Sequence, residues 1–317
     1  MSAARNSTAI ATTGIADATL ASTAGRSGRF APSPTGLLHQ GSLMTALGSY
    51  LFARTTSHKW LIRIEDIDRP REVAGAADAI LRTLEACGFE WDGPVVRQST
   101  RTDLYEDALR KLFSQGVVYA CYCSRSQLNA DAEGVYPGTC RHRRAEGNLP
   151  PALRFRTDEV REPVCFVDGI QGPCEQRVER TVGDFVIRRR DGLFAYQLAV
   201  VVDDADQGVT QVVRGADLLD NTPRQILLQR ALGLPTPCYA HLPVLVEADG
   251  SKLAKSRRAI PVDPARASSH LCEALALLRQ GPPDALCRAR PTEVLDWARA
   301  HWDPSPLANL REVRAGA

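Results

Sequence analysis

Short apolar segments alternate with stretches of helical periodicity along most of the chain. The sequence predicts strands at residues 29–31 and 60–64 and helices at residues 42–54, 73–87 and 104–113. Strands that are separated in sequence by helices usually pair in parallel, because a parallel partner needs a long crossover connection. This order therefore limits the fold more than any other feature, and it predicts an α/β protein built around a parallel sheet.

The same pattern continues in the second half of the chain. Residues 184–202 are predicted to form two strands around the Asp191-Gly192 hairpin dipeptide. A strand at residues 209–213, a helix near residues 218–232 and a strand at residues 241–246 then restore the strand and helix order.

Breaks in this rhythm set the predicted domain boundaries. The first 27 residues include 17 Ala, Ser or Thr and are predicted to be a disordered extension, with a transit peptide as the alternative. From residue 119, three cysteines, a Pro-Gly pair and a basic run interrupt the pattern, which indicates an inserted module. The predicted units are residues 1–27, a first α/β half at 28–118, the inserted module at 119–183, a second α/β half at 184–262, and a short helical tail at 263–317.

Composition excludes several classes of protein. No stretch of about 18 apolar residues is free of charge, so no membrane-spanning helix is expected. Nine cysteines without a secretory signal favour the cytoplasm, where grouped thiols indicate metal binding or chemistry before disulfides. A net charge of +2 indicates no general affinity for nucleic acid. RNA phosphates would need the local basic clusters at residues 141–144, 188–190 and 257–258, each of which is equally compatible with a solvated surface.

The segment from Arg29 to Ser42 is the first candidate site. It predicts a strand, a loop shaped by proline and glycine, and a His-x-Gly-Ser sequence at the start of a helix. Free N–H groups and the helix dipole suit a triphosphate there, His39 can donate to its oxygens, and Gly41 leaves room for close approach. The alternative is an ordinary turn between a strand and a helix, with a surface histidine.

A second candidate lies at residues 250–256, where Lys252 and Lys255 supply two of the four lysines in the chain. Ammonium groups on a loop can close over phosphates and stabilise the charge that develops during phosphoryl or adenylyl transfer. A solvated basic turn is the alternative.

In this order the two segments resemble the HIGH box and the KMSKS loop of class I aminoacyl-tRNA synthetases. Further segments make residues 28–262 similar to the catalytic domain of glutamyl-tRNA synthetase; they are residues 63–68, 91–93, 196–204, 213–217 and 241–243. The resemblance implies a Rossmann-like class I catalytic domain, with Ala254 as a departure from the usual loop sequence. It also implies catalytic roles for His39, Lys252 and Lys255.

The resemblance assigns substrate contacts residue by residue. It implies that ATP, with Mg²⁺, binds at His39, Gly41, Ser42 and Lys255. It implies that L-glutamate binds at Arg29, Phe30, Ala31, Pro32, Ser33, Glu65, Tyr196 and Arg214. Forked arginine donors suit carboxylates, Glu65 can pair with the α-ammonium group, and the Tyr196 hydroxyl can donate to an oxygen.

Only 61 residues follow Ser256, whereas a full glutamyl-tRNA synthetase continues into a long anticodon-binding region. The chain therefore resembles the short paralogues of that enzyme. This implies activation of glutamate without tRNA, transfer of the glutamyl group to queuosine at the wobble position of tRNA(Asp), and a monomeric ligase. A truncated enzyme that charges a 3′ end, another nucleotidyltransferase and a non-catalytic RNA-binding paralogue remain alternatives.

The inserted module contains Cys121, Cys123 and Cys140 within 20 residues, a grouping that can bind Zn²⁺ if a fourth ligand is present. Ligand chemistry alone favours His142 as that fourth ligand. The short paralogues have Cys-x-Cys followed by Tyr-x3-Cys, and this resemblance favours Tyr136 instead. Either set predicts one structural zinc ion, with free buried cysteines as the alternative.

Overall fold

The computed structural model describes residues 26–128, 135–142, 150–247 and 260–314. The strands in these ranges are β1 Ser27–Phe30, β2 Lys59–Ile64, β3 Val96–Arg97, β4 Val118–Cys121, β5 Ala152–Phe155, β6 Val164–Asp168, β7 Gly172–Gln176, β8 Phe185–Arg188, β9 Gln211–Gly215, β10 Cys238–Leu242, β11 Val244–Val246 and β12 Glu312–Arg314. The α-helices are α1 Gln40–Arg54, α2 Ala76–Ala86, α3 Thr102–Ser114, α4 Arg125–Leu128, α5 Val178–Thr181, α6 Tyr196–Asp206, α7 Thr222–Leu232, α8 Ala267–Leu277 and α9 Pro291–His301.

Seven strands form the main sheet in the order β3-β2-β1-β9-β10-β6-β7. The first six are paired in parallel, and β7 runs antiparallel to β6. The predicted parallel sheet is therefore confirmed. Because β9 and β10 insert between β1 and β6, the carboxyl ends of strands from both halves of the chain meet along one edge, where α/β sheets usually bind their ligands.

Helices cover both faces of this sheet. One apolar core joins α1, α2, α8 and α9 to the sheet through residues such as Leu47, Trp60 and Leu271, which are inaccessible to solvent. A second core joins α3, α6 and α7 to the other face through residues such as Leu112 and Leu228. No helix in the described ranges is both long and apolar enough to cross a membrane.

The strand pairing crosses the predicted boundaries of the inserted module. A separate antiparallel sheet has the order β4-β5-β8, so β8 pairs with the module although it lies beyond residue 183. Conversely, β6 and β7 lie inside 119–183 and belong to the main sheet. After α3, the strands β4 and β5 thus belong to the module, β6 and β7 belong to the main sheet, and β8 belongs to the module again.

The prediction of two strands in residues 184–202 is wrong for the second strand. The Asp191-Gly192 turn forms, with Gly192 at a φ of 86°, and Arg188 bridges to Phe194. The chain then enters helix α6 instead of a second strand. The apolar run within α6 is buried almost throughout, and a fully buried run lacks the one-sided periodicity that separates a helix from a strand.

Candidate active site

A cavity of about 750 Å³ opens at the carboxyl ends of β1, β2 and β9. It contains every predicted glutamate or ATP residue that lies in the described part of the chain. These residues are Arg29, Phe30, Ala31, Pro32, Ser33, His39, Gly41, Ser42, Glu65, Tyr196 and Arg214. Lys252 and Lys255 lie outside the described residues.

Arg214, near the end of β9, presents a positive charge to this cavity. It is 4% exposed, and its Nε donates to His241 Nε2 at 3.0 Å. Its Nη1 donates to Tyr196 Oη at 3.1 Å and to Gln225 Oε1 at 2.8 Å, and Nη2 donates to Thr222 Oγ1 at 2.8 Å. All these partners are neutral, and no carboxylate in the described residues pairs with Arg214. Because no carboxylate contacts the Nη edge, which faces the cavity, the geometry favours an anionic ligand at that edge.

Arg29, by contrast, already has a counter-ion. Its Nε lies 3.1 Å from Asp204 Oδ1, and the same oxygen accepts from Arg63 Nη2 at 2.7 Å. Asp204 is therefore shared by two buried arginines, and burial of its carboxyl is outweighed by their charges, so that its pKa is lowered. The Arg29 guanidinium is fixed by this pair, which leaves less of its donor fork for a ligand than the sequence alone indicates.

Glu65 provides the opposite charge in the same cavity. It follows β2, and its Oε1 is buried without a hydrogen-bond partner in the described residues, with Arg63 Nη2 at 3.5 Å. Burial raises the pKa of Glu65, although the charges of Arg63 and Arg29 oppose this shift. A buried carboxyl oxygen without a donor is a suitable acceptor for a ligand ammonium group, which would also lower that pKa.

His39 caps the N-terminus of α1 at the cavity. Its Nδ1 accepts from the Ser42 backbone N–H at 3.3 Å, and Nε2 lies 2.9 Å from Ser42 Oγ. Burial lowers the pKa of His39, which favours the neutral ring that this cap requires. A Cβ added at Gly41 would lie 3.4 Å from the His39 ring, which is ordinary van der Waals contact.

Three thiols meet in the second sheet's module, as their spacing predicts. The sulfur atoms of Cys121, Cys123 and Cys140 lie within 4.8 Å of one another, and all three residues are buried. The Tyr136 hydroxyl lies 3.4 Å from Cys121 Sγ and 3.6 Å from Cys123 Sγ, whereas His142 is exposed and stands outside the group. Burial raises the pKa of the Cys121 thiol, but hydrogen bonds, led by the one from Tyr136, lower it to about 7.

Surrounding residues hold Tyr136 and Cys140 in place. The Arg154 guanidinium lies 3.8 Å from the centre of the Tyr136 ring. Buried Asp184 accepts from Arg141 Nε at 2.6 Å, which fixes the residue next to Cys140. The donor set of three sulfurs and one phenol oxygen fits a tetrahedral Zn²⁺ site with no position left for a substrate.

Gly183 determines how closely β8 approaches this cluster. Its φ is 69°, and an added Cβ would lie 2.4 Å from the Tyr136 carbonyl oxygen. Gly208 has a similar φ of 64° but nothing within 4 Å of its added Cβ, so it is a matched control. We expect Gly183→Ala to lower the free energy of unfolding by about 2 kcal/mol more than Gly208→Ala, measured by urea titration. Equal effects would mean that the contact with Tyr136 does not limit packing.

His241 and His39 should give the fold a defined pH dependence. Burial lowers the pKa of both rings below 6.5, and for His241 the hydrogen bond to Asp168 offsets this only in part. The unfolded chain therefore binds more protons below pH 6.5, so the free energy of unfolding should fall from about pH 7 to about pH 5, by up to ~1.4 kcal/mol per pH unit for each ring. Urea titrations across this range measure the slope. His241→Asn should flatten it, and an unchanged slope in that variant would contradict the assignment.

The predicted basic clusters are partly committed to contacts within the protein. Arg141 is bound to Asp184, as described above. The residues of the second cluster have acceptors too: Arg188 with Glu106 at 3.2 Å, Arg189 with Asp68 at 3.1 Å, and Arg190 with the Cys123 carbonyl oxygen at 3.0 Å. Arg143, Arg144, Arg257 and Arg258 lie outside the described residues.

Five buried residues of this region were not predicted as site residues from the sequence: Arg63, Asp168, Asp203, Asp204 and His241. Arg63 and Asp204 lie within segments that carry the resemblance to glutamyl-tRNA synthetase, as does His241. Two adjacent acids in an apolar run were the available signal for Asp203 and Asp204. Asp168 had none, because its partner His241 is 73 residues away in sequence.

Comparison with known proteins agrees with this geometry. Residues 27–275 match the model of the catalytic domain of class I tRNA synthetases of the E and Q type. The chain is 56% identical to a glutamyl-Q tRNA(Asp) synthetase of Ectopseudomonas mendocina over 286 residues, which are 90% of this chain and 96% of the relative. It is 54% identical to the protein of that name from Dechloromonas aromatica, over 89% of this chain and 96% of the relative.

A solved structure shares the fold. The crystal structure of glutamate-tRNA synthetase from Elizabethkingia anophelis superposes with a TM-score of 0.74 at 26% identity, covering 92% of this chain and 68% of that one. The resemblance that the motifs indicated is thus confirmed. The chain belongs to the class I tRNA synthetases of the glutamate and glutamine type, which are ligases, and within them to the glutamyl-Q tRNA(Asp) synthetases.

Proposed function

We propose that this protein activates L-glutamate with ATP in the absence of tRNA and then transfers the glutamyl group to queuosine at the wobble position of tRNA(Asp). The observation that carries the first half is the presence of two opposite charges in one cavity. No carboxylate contacts Arg214 directly, and the buried Oε1 of Glu65 accepts no hydrogen bond in the described residues. The names of the relatives supply the second half.

Glutamate fits the charges of the cavity. A carboxylate of the substrate would pair with Arg214 and accept from the Tyr196 hydroxyl, and its α-ammonium group would donate to Glu65. Residues 30–33 line the cavity where β1 ends and the HIGH-type loop begins. An uncharged side chain such as that of glutamine would leave the Nη edge of Arg214 without a carboxylate partner, so the site should reject it.

ATP would lie across the N-terminus of α1. Free backbone N–H groups, with His39, Gly41 and Ser42, suit the phosphates, and we assign Lys252 and Lys255 to the same phosphates on the basis of sequence. Mg²⁺ enters with the nucleotide and supplies further compensation of phosphate charge.

The first step is in-line attack by a glutamate α-carboxylate oxygen on the ATP α-phosphorus. A carboxylate oxygen–phosphorus bond forms, the bond to the β-phosphate oxygen breaks, and pyrophosphate leaves. The nucleophile is already ionised, so this step requires no general base. In the second step a queuosine hydroxyl attacks the adenylate carbonyl, loses its proton, and displaces AMP.

We further propose that Cys121, Cys123, Tyr136 and Cys140 hold one structural Zn²⁺. The support is the convergence of three buried sulfurs and a phenol oxygen. The ion would fix the segment after β4 against β8. We also propose a monomeric enzyme that acts in the cytoplasm.

Amino-acid-dependent ATP–pyrophosphate exchange without tRNA tests the activation step. Glutamate should support exchange, whereas the exchange rate with glutamine or aspartate should be at least about a hundredfold lower. Glutamine lacks the second carboxylate, and the shorter aspartate cannot reach both charged groups of the site. Exchange with another amino acid at a comparable rate, or a strict requirement for tRNA, would contradict the proposal.

A further inference from the structure

His241 lies in the His-Leu-Pro segment at the end of β10 and has no role in the mechanism described above. It makes no contact with the cavity surface, yet its ring is completely buried between two charged side chains, Arg214 and Asp168. These three residues stand on adjacent parallel strands, β9, β10 and β6. Arg214 and His241 are paired in register. Asp168 is paired in register with Tyr239 and reaches His241 by a hydrogen bond, so the three side chains form a row across the sheet.

We infer that Asp168 and His241 are positioning residues that orient Arg214 for the substrate carboxylate. This inference rests on the proposed function, because it takes Arg214 as the group that binds glutamate. It adds two residues that act through Arg214 and do not touch the substrate themselves.

The hydrogen-bond pattern fixes the state of the His241 ring. Arg214 Nε can only donate, so His241 Nε2, at 3.0 Å, must accept. The proton of the neutral ring is then on Nδ1, which donates to Asp168 Oδ2 at 2.5 Å. Burial lowers the pKa of His241, in agreement with a neutral ring.

Asp168 is itself held rigidly at the end of β6. Its Oδ1 accepts three backbone N–H groups, from Ile170 at 3.0 Å, Gln171 at 2.9 Å and His241 at 3.0 Å. These bonds and the one from the His241 ring outweigh burial and lower the pKa of Asp168, so it stays ionised. The row is thus anchored to backbone at the end farthest from the cavity.

The arrangement answers how Arg214 remains buried without a direct carboxylate partner. Asp168, neutral His241 and Arg214 together carry no net charge, so the counter-ion is present but one side chain removed. A carboxylate placed directly against Arg214 would compete with the substrate for the same donors. With His241 between them, the Nη edge stays directed toward Tyr196 and the cavity.

Two substitutions distinguish the two hydrogen bonds of the His241 ring, one to Asp168 and one to Arg214. Asn can keep a donor for Asp168 but does not reach Arg214 Nε, whereas Gln can place its amide oxygen near the position of Nε2. We expect His241→Asn to raise KM for glutamate about ten- to a hundredfold in the exchange assay, with KM for ATP changed less than about twofold. His241→Gln should restore KM for glutamate to within about fivefold of the unaltered enzyme.

Asp168→Asn should also raise KM for glutamate, because the ring can then carry its proton on Nε2 and face Arg214 with it. Exposed His301→Asn is the control and should leave both constants unchanged. Parallel increases in both KM values, or equal effects of Asn and Gln at position 241, would reduce the pair to a structural role and overturn the inference.

A measurement on the unaltered full-length protein keeps the inference testable if the variants do not fold. Nitrogen-15 shifts of the His241 ring should show the neutral Nδ1–H tautomer at pH 7, and an Nε2–H tautomer or a charged ring would overturn it. Lack of glutamate-dependent exchange in the unaltered enzyme would instead contradict the proposed function. Normal exchange with unchanged KM for glutamate in His241→Asn would overturn only this inference.

Discussion

Replacing Arg214 by glutamine is expected to lower kcat/KM for glutamate-dependent ATP–pyrophosphate exchange about a thousandfold, since removing one partner of a buried, hydrogen-bonded charge pair typically costs several kcal/mol. The substitution removes the only cavity-facing guanidinium in the described residues that has no carboxylate partner. The shorter glutamine can replace the Nε donor to His241 but not the Nη donors to Tyr196 and Thr222. The loss should appear mainly as a higher KM for glutamate.

The matched control is Arg230→Gln, an exposed arginine of α7, the helix that also supplies Gln225 to Arg214. Its exchange kinetics should equal those of the unaltered enzyme. If Arg214→Gln retains the original KM for glutamate, the assignment of the substrate carboxylate to Arg214 is wrong.

The second large effect is expected at the thiol cluster. Cys140→Ser should abolish stoichiometric zinc in the purified protein, because loss of one of four ligands removes a large part of a binding free energy that is on the order of 10 kcal/mol for structural zinc sites. The module between β4 and β8 should then become sensitive to protease. Metal analysis and limited proteolysis measure the two effects.

Cys165→Ser is the control for this experiment, because Cys165 is an exposed cysteine outside the cluster. It should keep one zinc ion per chain. A zinc content that is the same in Cys140→Ser, or an unaltered protein without zinc, would contradict the proposed site. His142→Ala should also keep its zinc, since His142 is exposed and outside the thiol group.

The sequence was sufficient for the parallel sheet and for the contents of the cavity. Arg29, Glu65 and Arg214 fall at the ends of three strands, and a parallel sheet brings such ends together whatever their separation in sequence. The helical conformation of α6 could not be predicted, because a buried run that includes Val200, Val201 and Val202 has no polar face that would reveal a helical period.

Contacts between side chains were the other limit. Asp204 accepts a hydrogen bond from Arg29, and Asp168 is linked to Arg214 through His241. Both contacts depend on which strands become neighbours in the folded sheet. β6 joins β10 only in the folded sheet, after a long excursion through the module. For the fourth member of the thiol cluster, ligand chemistry alone favoured His142, whereas the resemblance to the short paralogues favoured Tyr136, whose hydroxyl lies 3.4 Å from Cys121 Sγ.

Glutamylation of queuosine in tRNA(Asp) can be measured by incubating the protein with labelled glutamate, ATP and tRNA(Asp) that either carries or lacks queuosine. We expect label only on the queuosine-bearing tRNA, attached at the anticodon loop. Label on tRNA(Asp) that lacks queuosine, or at the 3′ end of tRNA(Glu), would contradict it.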